Sequence, residues 1–199
     1  MTISLLLTCG LCFGQDKPNI KVFEMVCDSI YKGKGYRIIQ TYFPDGIDTS
    51  SANNSVFQFI QTTGSTQRII FQDTIYSSTG KVEFRDFTND GIQDILLQNT
   101  SDVKSNWTYY LYVVDTVGDR LTKIKGFEEI KNPKYLPKYD LIDNYVNSGL
   151  EWTSFYKIKG NCIKDYGIVI YDDHSDSGTY GREYKKAIQE ILKIEKTRP

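Results

Sequence analysis

The chain has 199 residues, of which 40% are hydrophobic and 25% charged, and carries a net charge of −1 at pH 7. That apolar share is enough for a core and excludes a chain left disordered for want of one. The near-zero charge provides no field to draw the protein onto nucleic acid or an anionic membrane.

In chain order, residues 3–7 are mostly apolar and lead through Cys9–Gly10–Leu11–Cys12 to Phe13–Gly14, after which Gln15–Asp16–Lys17–Pro18 turns polar. A short apolar run ending in small residues is the pattern of a signal peptide, with the cut expected after Gly14. It is too short to span a bilayer. Residues 1–14 are therefore expected to be a signal peptide and 15–199 a single domain of a periplasmic or secreted protein. A basic start is missing. Lipid anchoring fits less well, because Cys12 follows Leu11 and Cys9 follows Leu7–Thr8. Cleavage would leave Cys27 and Cys162, which in an oxidising compartment could close one disulfide or pack as buried thiols. Spacing does not choose between these.

Strand signals then follow one another, helped by 15 Tyr residues, which suit a half-buried pleated surface. Residues 20–31 and 36–43 read as strands, split by Lys32–Gly33–Lys34–Gly35. Residues 56–60 and 68–71 flank a Thr/Gly/Ser turn and suggest a hairpin. The clearest strand covers residues 107–114, with Tyr109, Leu111 and Val113 on one face and Tyr110, Tyr112 and Val114 on the other. Further strands are expected over 121–125, 151–159 and 162–171, the last two joined by Gly160–Asn161. Only the C-terminus has helical spacing. Tyr184, Ala187, Ile188, Ile191 and Leu192 recur at intervals of three and four within residues 182–195. The expected fold is mainly β, an antiparallel β-sandwich with one C-terminal amphipathic α-helix.

The stretch Asp86–Phe87–Thr88–Asn89–Asp90–Gly91–Ile92–Gln93–Asp94 carries the most chemistry. Oxygen side chains stand at Asp86, Thr88, Asp90 and Asp94, which are loop positions one, three, five and nine. Gly91 permits the sharp turn, and the Ile92 carbonyl can face inward. Calcium takes six to eight oxygens in loose geometry, so this pattern predicts a Ca²⁺ loop. It is not an EF-hand, since Leu97 stands at position twelve and the flanks are β-like. An Asx-rich β-turn is the alternative reading.

No nucleophile elbow, zinc-protease helix or phosphate loop is present, and the chain is expected not to be an enzyme. His174, within Asp172–Asp173–His174–Ser175–Asp176, reads as part of a solvated loop. Two aromatic, turn-rich segments, residues 132–139 and 147–152, suit protein recognition or ordinary connections.

Residues 81–166 resemble the calcium-binding periplasmic inhibitors and immunity proteins that block lysozymes, related to the inhibitors of invertebrate-type lysozyme. The likeness lies in an order of features. The aspartate loop comes first, followed by the aromatic strand over 107–114 and Asp119–Arg120–Leu121. Residues 132–139 come next, with Ser148–Gly149 before Thr153–Ser154–Phe155–Tyr156. The resemblance implies an antiparallel β-sandwich that blocks a lysozyme-like peptidoglycan hydrolase by pushing loops into its cleft. The family's Ser-Gly-x-x-Tyr loop corresponds here to Ser148–Gly149–Leu150–Glu151–Trp152, with Trp for Tyr. In Ser177–Gly178–Thr179–Tyr180 the Tyr comes one place early. The implied partner-binding residues are Ser148, Gly149, Trp152 and Tyr180. The alternative is an extracellular calcium-dependent module that binds glycan or protein. A single copy of the loop argues against a propeller, which would repeat it.

Overall fold

The two-faced alternation expected over residues 107–114 is realised in the computed structural model, which describes residues 20–47, 52–172 and 178–197. The strands in chain order are β1 (Lys21–Val26), β2 (Tyr36–Tyr42), β3 (Ser55–Thr63), β4 (Thr66–Ile75), β5 (Val82–Arg85) and β6 (Asp94–Ser101). They continue as β7 (Trp107–Asp115), β8 (Arg120–Ile124), β9 (Lys134–Leu136), β10 (Leu141–Asp143), β11 (Glu151–Lys159) and β12 (Cys162–Asp172). Helix α1 (Thr179–Thr197) closes the chain. The expected signal peptide, residues 1–14, and the loop residues 173–177 with His174 lie outside the described residues.

Each successive set of four strands forms its own antiparallel meander, β1 to β4, β5 to β8 and β9 to β12. Short turns suffice for this topology. The β3–β4 and β11–β12 hairpins pair Thr63 with Thr66 and Lys159 with Cys162 across two-residue loops. Gly64 (φ 61°) and Gly160 (φ 61°) occupy the first loop position in each. A positive φ there twists the hairpin in the same sense as its strands, and glycine adopts it without steric cost.

The three sheets stack, and the helix covers the last. One core cluster joins the first sheet (Ile38, Phe57, Phe59, Ile75) to one face of the second (Ile95, Leu97, Tyr112, Val114). Another joins the opposite face of the second sheet (Leu96, Tyr109, Leu111, Ile124) to Ile142 of the third, with Phe127 between them. A last cluster seats Ala187, Ile188 and Ile191 of α1 on Leu141, Phe155 and Ile170. The protein is thus mainly β and sandwich-like, with one α-helix among the described residues, and is extended by a third sheet. Because the middle sheet is covered on both sides, β6 begins with five consecutive buried residues, Asp94 to Gln98, instead of alternating. Burying each such Leu or Ile contributes about 1.5–3 kcal/mol. Tyr112 bridges the first two sheets. Its ring packs on Phe57 with centroids 4.8 Å apart, and its hydroxyl donates to Asp73 at 2.8 Å.

The strand expected over 20–31 stops at Val26. The Cys27 carbonyl accepts from the N–H groups of Ile30 (3.0 Å) and Tyr31 (2.8 Å), which curls the chain and sends Tyr31 into the core. The helix runs beyond the expected 182–195 at both ends. Its last turn is fastened by Glu195, whose carboxylate meets Lys164 Nζ at 2.5 Å and Lys159 Nζ at 2.6 Å. Among the described residues no helix is long and apolar enough to cross a membrane.

Candidate functional site

The aspartate loop is the β5–β6 connection. Arg85 and Asp94 are cross-strand partners at its base, so the pairing of two strands fixes the loop's two ends. Inside it the carboxylates organise backbone N–H groups. Asp86 accepts from Thr88 (3.0 Å), Asn89 (2.6 Å) and Gly91 (2.9 Å), and Asp90 accepts from Ile92 (2.8 Å). Asn89 (φ 59°) and Gly91 (φ 82°) take the left-handed conformations that this tight curl needs. The Thr88 hydroxyl leans on Asp86 Oδ1 at 3.5 Å.

Asp94 behaves differently from the other two. It is fully buried, and its carboxylate accepts from Phe87 N–H at 2.9 Å and Val114 N–H at 3.3 Å. Burial pushes its pKa up to about 7, and the nearby charges of Asp90 and Asp86 push the same way. Three carboxylates thus share one loop, with a buried member held back from ionising. An all-oxygen set of this kind (Asp86, Thr88, Asp90, the Ile92 carbonyl and Asp94) has the donor chemistry of Ca²⁺. Among the described residues, however, no three His, Cys, Asp or Glu side chains converge tightly enough to form a cage. In this structure the carboxylates are turned onto N–H groups.

The predicted partner-binding residues gather at one end of the third sheet but on two faces of it. Trp152 lies opposite Tyr171 and bridges to Val146. Its neighbour Thr153 points the other way, under the helix, where its hydroxyl is 2.8 Å from that of Tyr180. Tyr180 packs edge-on against Tyr145 and beside Tyr184, with centroids 6.2 Å and 6.0 Å away. Trp152 and Tyr180 therefore do not form one surface, because strand alternation separates them. Ser148 and Gly149 are exposed on the loop between, where Gly149 has φ 104° and the Ser148 hydroxyl donates to the Leu150 carbonyl.

Two features of this end escape sequence reading. One is a polar core beneath the loop. Asn106, 1% exposed, donates to the Asn147 carbonyl (2.8 Å) and to Asp102 (2.9 Å) and accepts from Asn147 N–H (2.9 Å) and the Asn132 amide (2.9 Å). A hydrogen bond from Lys131, first among several, holds the Asp102 carboxyl well below its ordinary range. The loop that carries Ser148 is thus pinned by residues 15 to 45 positions away. The other is a cleft of about 420 Å³ walled by Lys134, Asp143, Tyr145, Thr153, Tyr180 and Tyr184. The Tyr184 hydroxyl donates to Asp143, whose carboxyl is raised by burial. Asn132, at φ 48°, was the one available sequence signal, since Asn often takes this conformation at a structural corner.

Of the two readings open for Cys27 and Cys162, the disulfide is not formed. Both are free thiols: Cys27 is buried in the core of the first sheet and Cys162 is exposed at the β11–β12 hairpin of the third. The middle sheet stands between those two layers. Burial raises the Cys27 thiol to about 11, so it is an inert core residue.

No protein-family model, curated protein or solved structure matches the chain.

Proposed function

We propose that the protein is an exported, calcium-stabilised inhibitor or immunity protein that binds a lysozyme-like peptidoglycan hydrolase. The observation that carries this reading is the loop of residues 147–150. It stands exposed beside the tyrosine-walled cleft while its backbone is pinned from below by buried Asn106. A loop held in one conformation before contact loses little entropy on entering an enzyme cleft, which is how a small inhibitor gains affinity. Tyrosine and tryptophan flank it, and these side chains anchor interfaces well. Calcium at residues 86–94 would tie β5 to β6 and neutralise the carboxylates gathered there.

A calcium-dependent glycan-binding module is the second reading. The cleft favours it: tyrosine rings beside Asp143, Lys134 and Thr153 match the mixed stacking and hydrogen bonding that a sugar requires. The two separate in a peptidoglycan-turbidity assay against c-, g- and i-type lysozymes. Slowed lysis at micromolar protein supports the inhibitor. No inhibition across the panel, together with retention of the protein on immobilised glycan, favours the module.

A further inference from the structure

We infer that the outer edge of β1 is a self-association surface, on which a second copy of this chain pairs its own β1 antiparallel to form a continuous eight-stranded sheet. The inference is independent of the inhibitor reading. Among the described residues β1 pairs only with β2, and all six of its residues are exposed. They include Val22 (63%), Phe23 (52%) and Val26 (50%), so the edge is apolar on both faces. It has no proline and no bulge, and its central charge, Glu24, is tied back to Arg37 at 2.5 Å. Proteins that remain monomeric usually blunt such an edge, whereas this one is left straight and greasy.

The backbone is arranged to accept a partner. The Cys27 N–H bonds the Tyr36 carbonyl at 2.9 Å, and the antiparallel alternation from that bond turns the N–H and C=O groups of Val22, Glu24 and Val26 away from β2. The strand is also complementary to itself. With Phe23 on a two-fold axis, its ring meets the partner's Phe23 in a non-hydrogen-bonded pair, where side chains come closest. Val22 then lies opposite Glu24, Lys21 opposite Met25 and Ile20 opposite Val26. Each outward-facing backbone group finds a mate, and no like charges are apposed. Moving the axis to Glu24 would set two glutamates face to face, which disfavours that register.

The side of the strand facing the second sheet is unfinished as well. The first sheet overhangs β5, leaving a groove of about 340 Å³ along Phe23, Met25, Ile38 and Val82. At its floor lies Gln40, 2% exposed, whose amide nitrogen and oxygen both lack a hydrogen-bond partner. A second first-sheet laid alongside would extend the roof over this groove and cover the Phe23 and Met25 side chains.

The test is the mass of the protein, expressed with all 199 residues, by analytical ultracentrifugation from 1 to 100 µM. The expected result is a monomer–dimer equilibrium in that range. Val22→Pro removes an outward N–H without touching the β1–β2 ladder and should raise the dimer Kd at least tenfold while leaving the thermal transition cooperative. Phe23→Cys, with Cys9, Cys12 and Cys162 changed to Ser, should cross-link to a covalent dimer under mild oxidation, since only the proposed register brings residue 23 against itself. A monomer at 100 µM, a dimer indifferent to Val22→Pro, or no cross-link at residue 23 in a dimer would each overturn the inference.

Discussion

The Asp94 carboxylate accepts a hydrogen bond from the Phe87 N–H at 2.9 Å, so the last aspartate of the loop reaches back to the residue after the first. This clasp closes the loop at its base. It also places a buried acid beside the half-buried Asp86 and the exposed Asp90.

Calcium should stabilise the protein. Binding to the folded state alone raises the melting temperature by mass action. Thermal melting in millimolar Ca²⁺ should lie above that in EDTA, and Asp90→Ala should abolish the difference. Identical curves for the unsubstituted protein in both buffers would remove calcium from the account.

In EDTA, stability should fall as pH rises from about 4 to 7. Asp94 titrates near 3.8 when unfolded and at about 7 when folded, so across that window the folded state holds a proton that the unfolded state has lost. Its contribution is complete below the unfolded value and gone above the folded one. The cause is burial first, then repulsion from Asp90 and Asp86. Asp94→Asn should flatten this slope, as urea titrations at pH 4.5 and 7 would show. An unchanged slope would place the pH dependence elsewhere.

Leu111→Ala should be among the costliest substitutions. Leu111 is fully buried in β7 within the cluster shared by the second and third sheets. A cavity at such a site costs about 2–5 kcal/mol, measurable as a lowered urea midpoint at unchanged slope.

Glu195→Gln tests the fastening of the helix. Hydrogen bonds from Lys159 and Lys164 hold the Glu195 carboxyl down at about 2. Its contribution is therefore present above the ordinary carboxylate range and lost as pH falls toward that value. The loss should be modest, about 1 kcal/mol at pH 7, because the lysines are partly solvated. Amide exchange should quicken in the last turns of α1 while β6 and β7 stay protected.

At the proposed interface, Trp152→Ala should weaken inhibition of a sensitive lysozyme about tenfold or more without changing the melting temperature. Tyr180→Ala should lower both, because Tyr180 also bonds Thr153 and packs on Tyr145 and Tyr184. Tyr180→Phe separates the two roles by keeping the ring and removing the hydroxyl.

Local pattern alone determined a good deal here. The two faces of residues 107–114, the glycine-led hairpins at Gly64 and Gly160, and the apolar stripe of α1 could all be read directly. Each depends on interactions within a strand, a turn or a helix, and these are written at periods of two, two and 3.6 residues. The aspartate loop was legible for the same reason, since its hydrogen bonds span five residues or fewer apart from those of Asp94. What only the tertiary structure decided is long-range. The third sheet turned the middle one into a doubly buried layer, and this explains the unalternating run at the start of β6. The same layer separates Cys27 from Cys162. Strand alternation in β11 turned Trp152 to the face opposite the one on which Tyr180 of α1 meets Thr153, although both were expected at one partner surface. The pin at Asn106 was equally invisible, because a side chain's partners 40 residues away leave no periodic trace. Sequence spacing records which way a residue points, whereas stacking decides what it meets there.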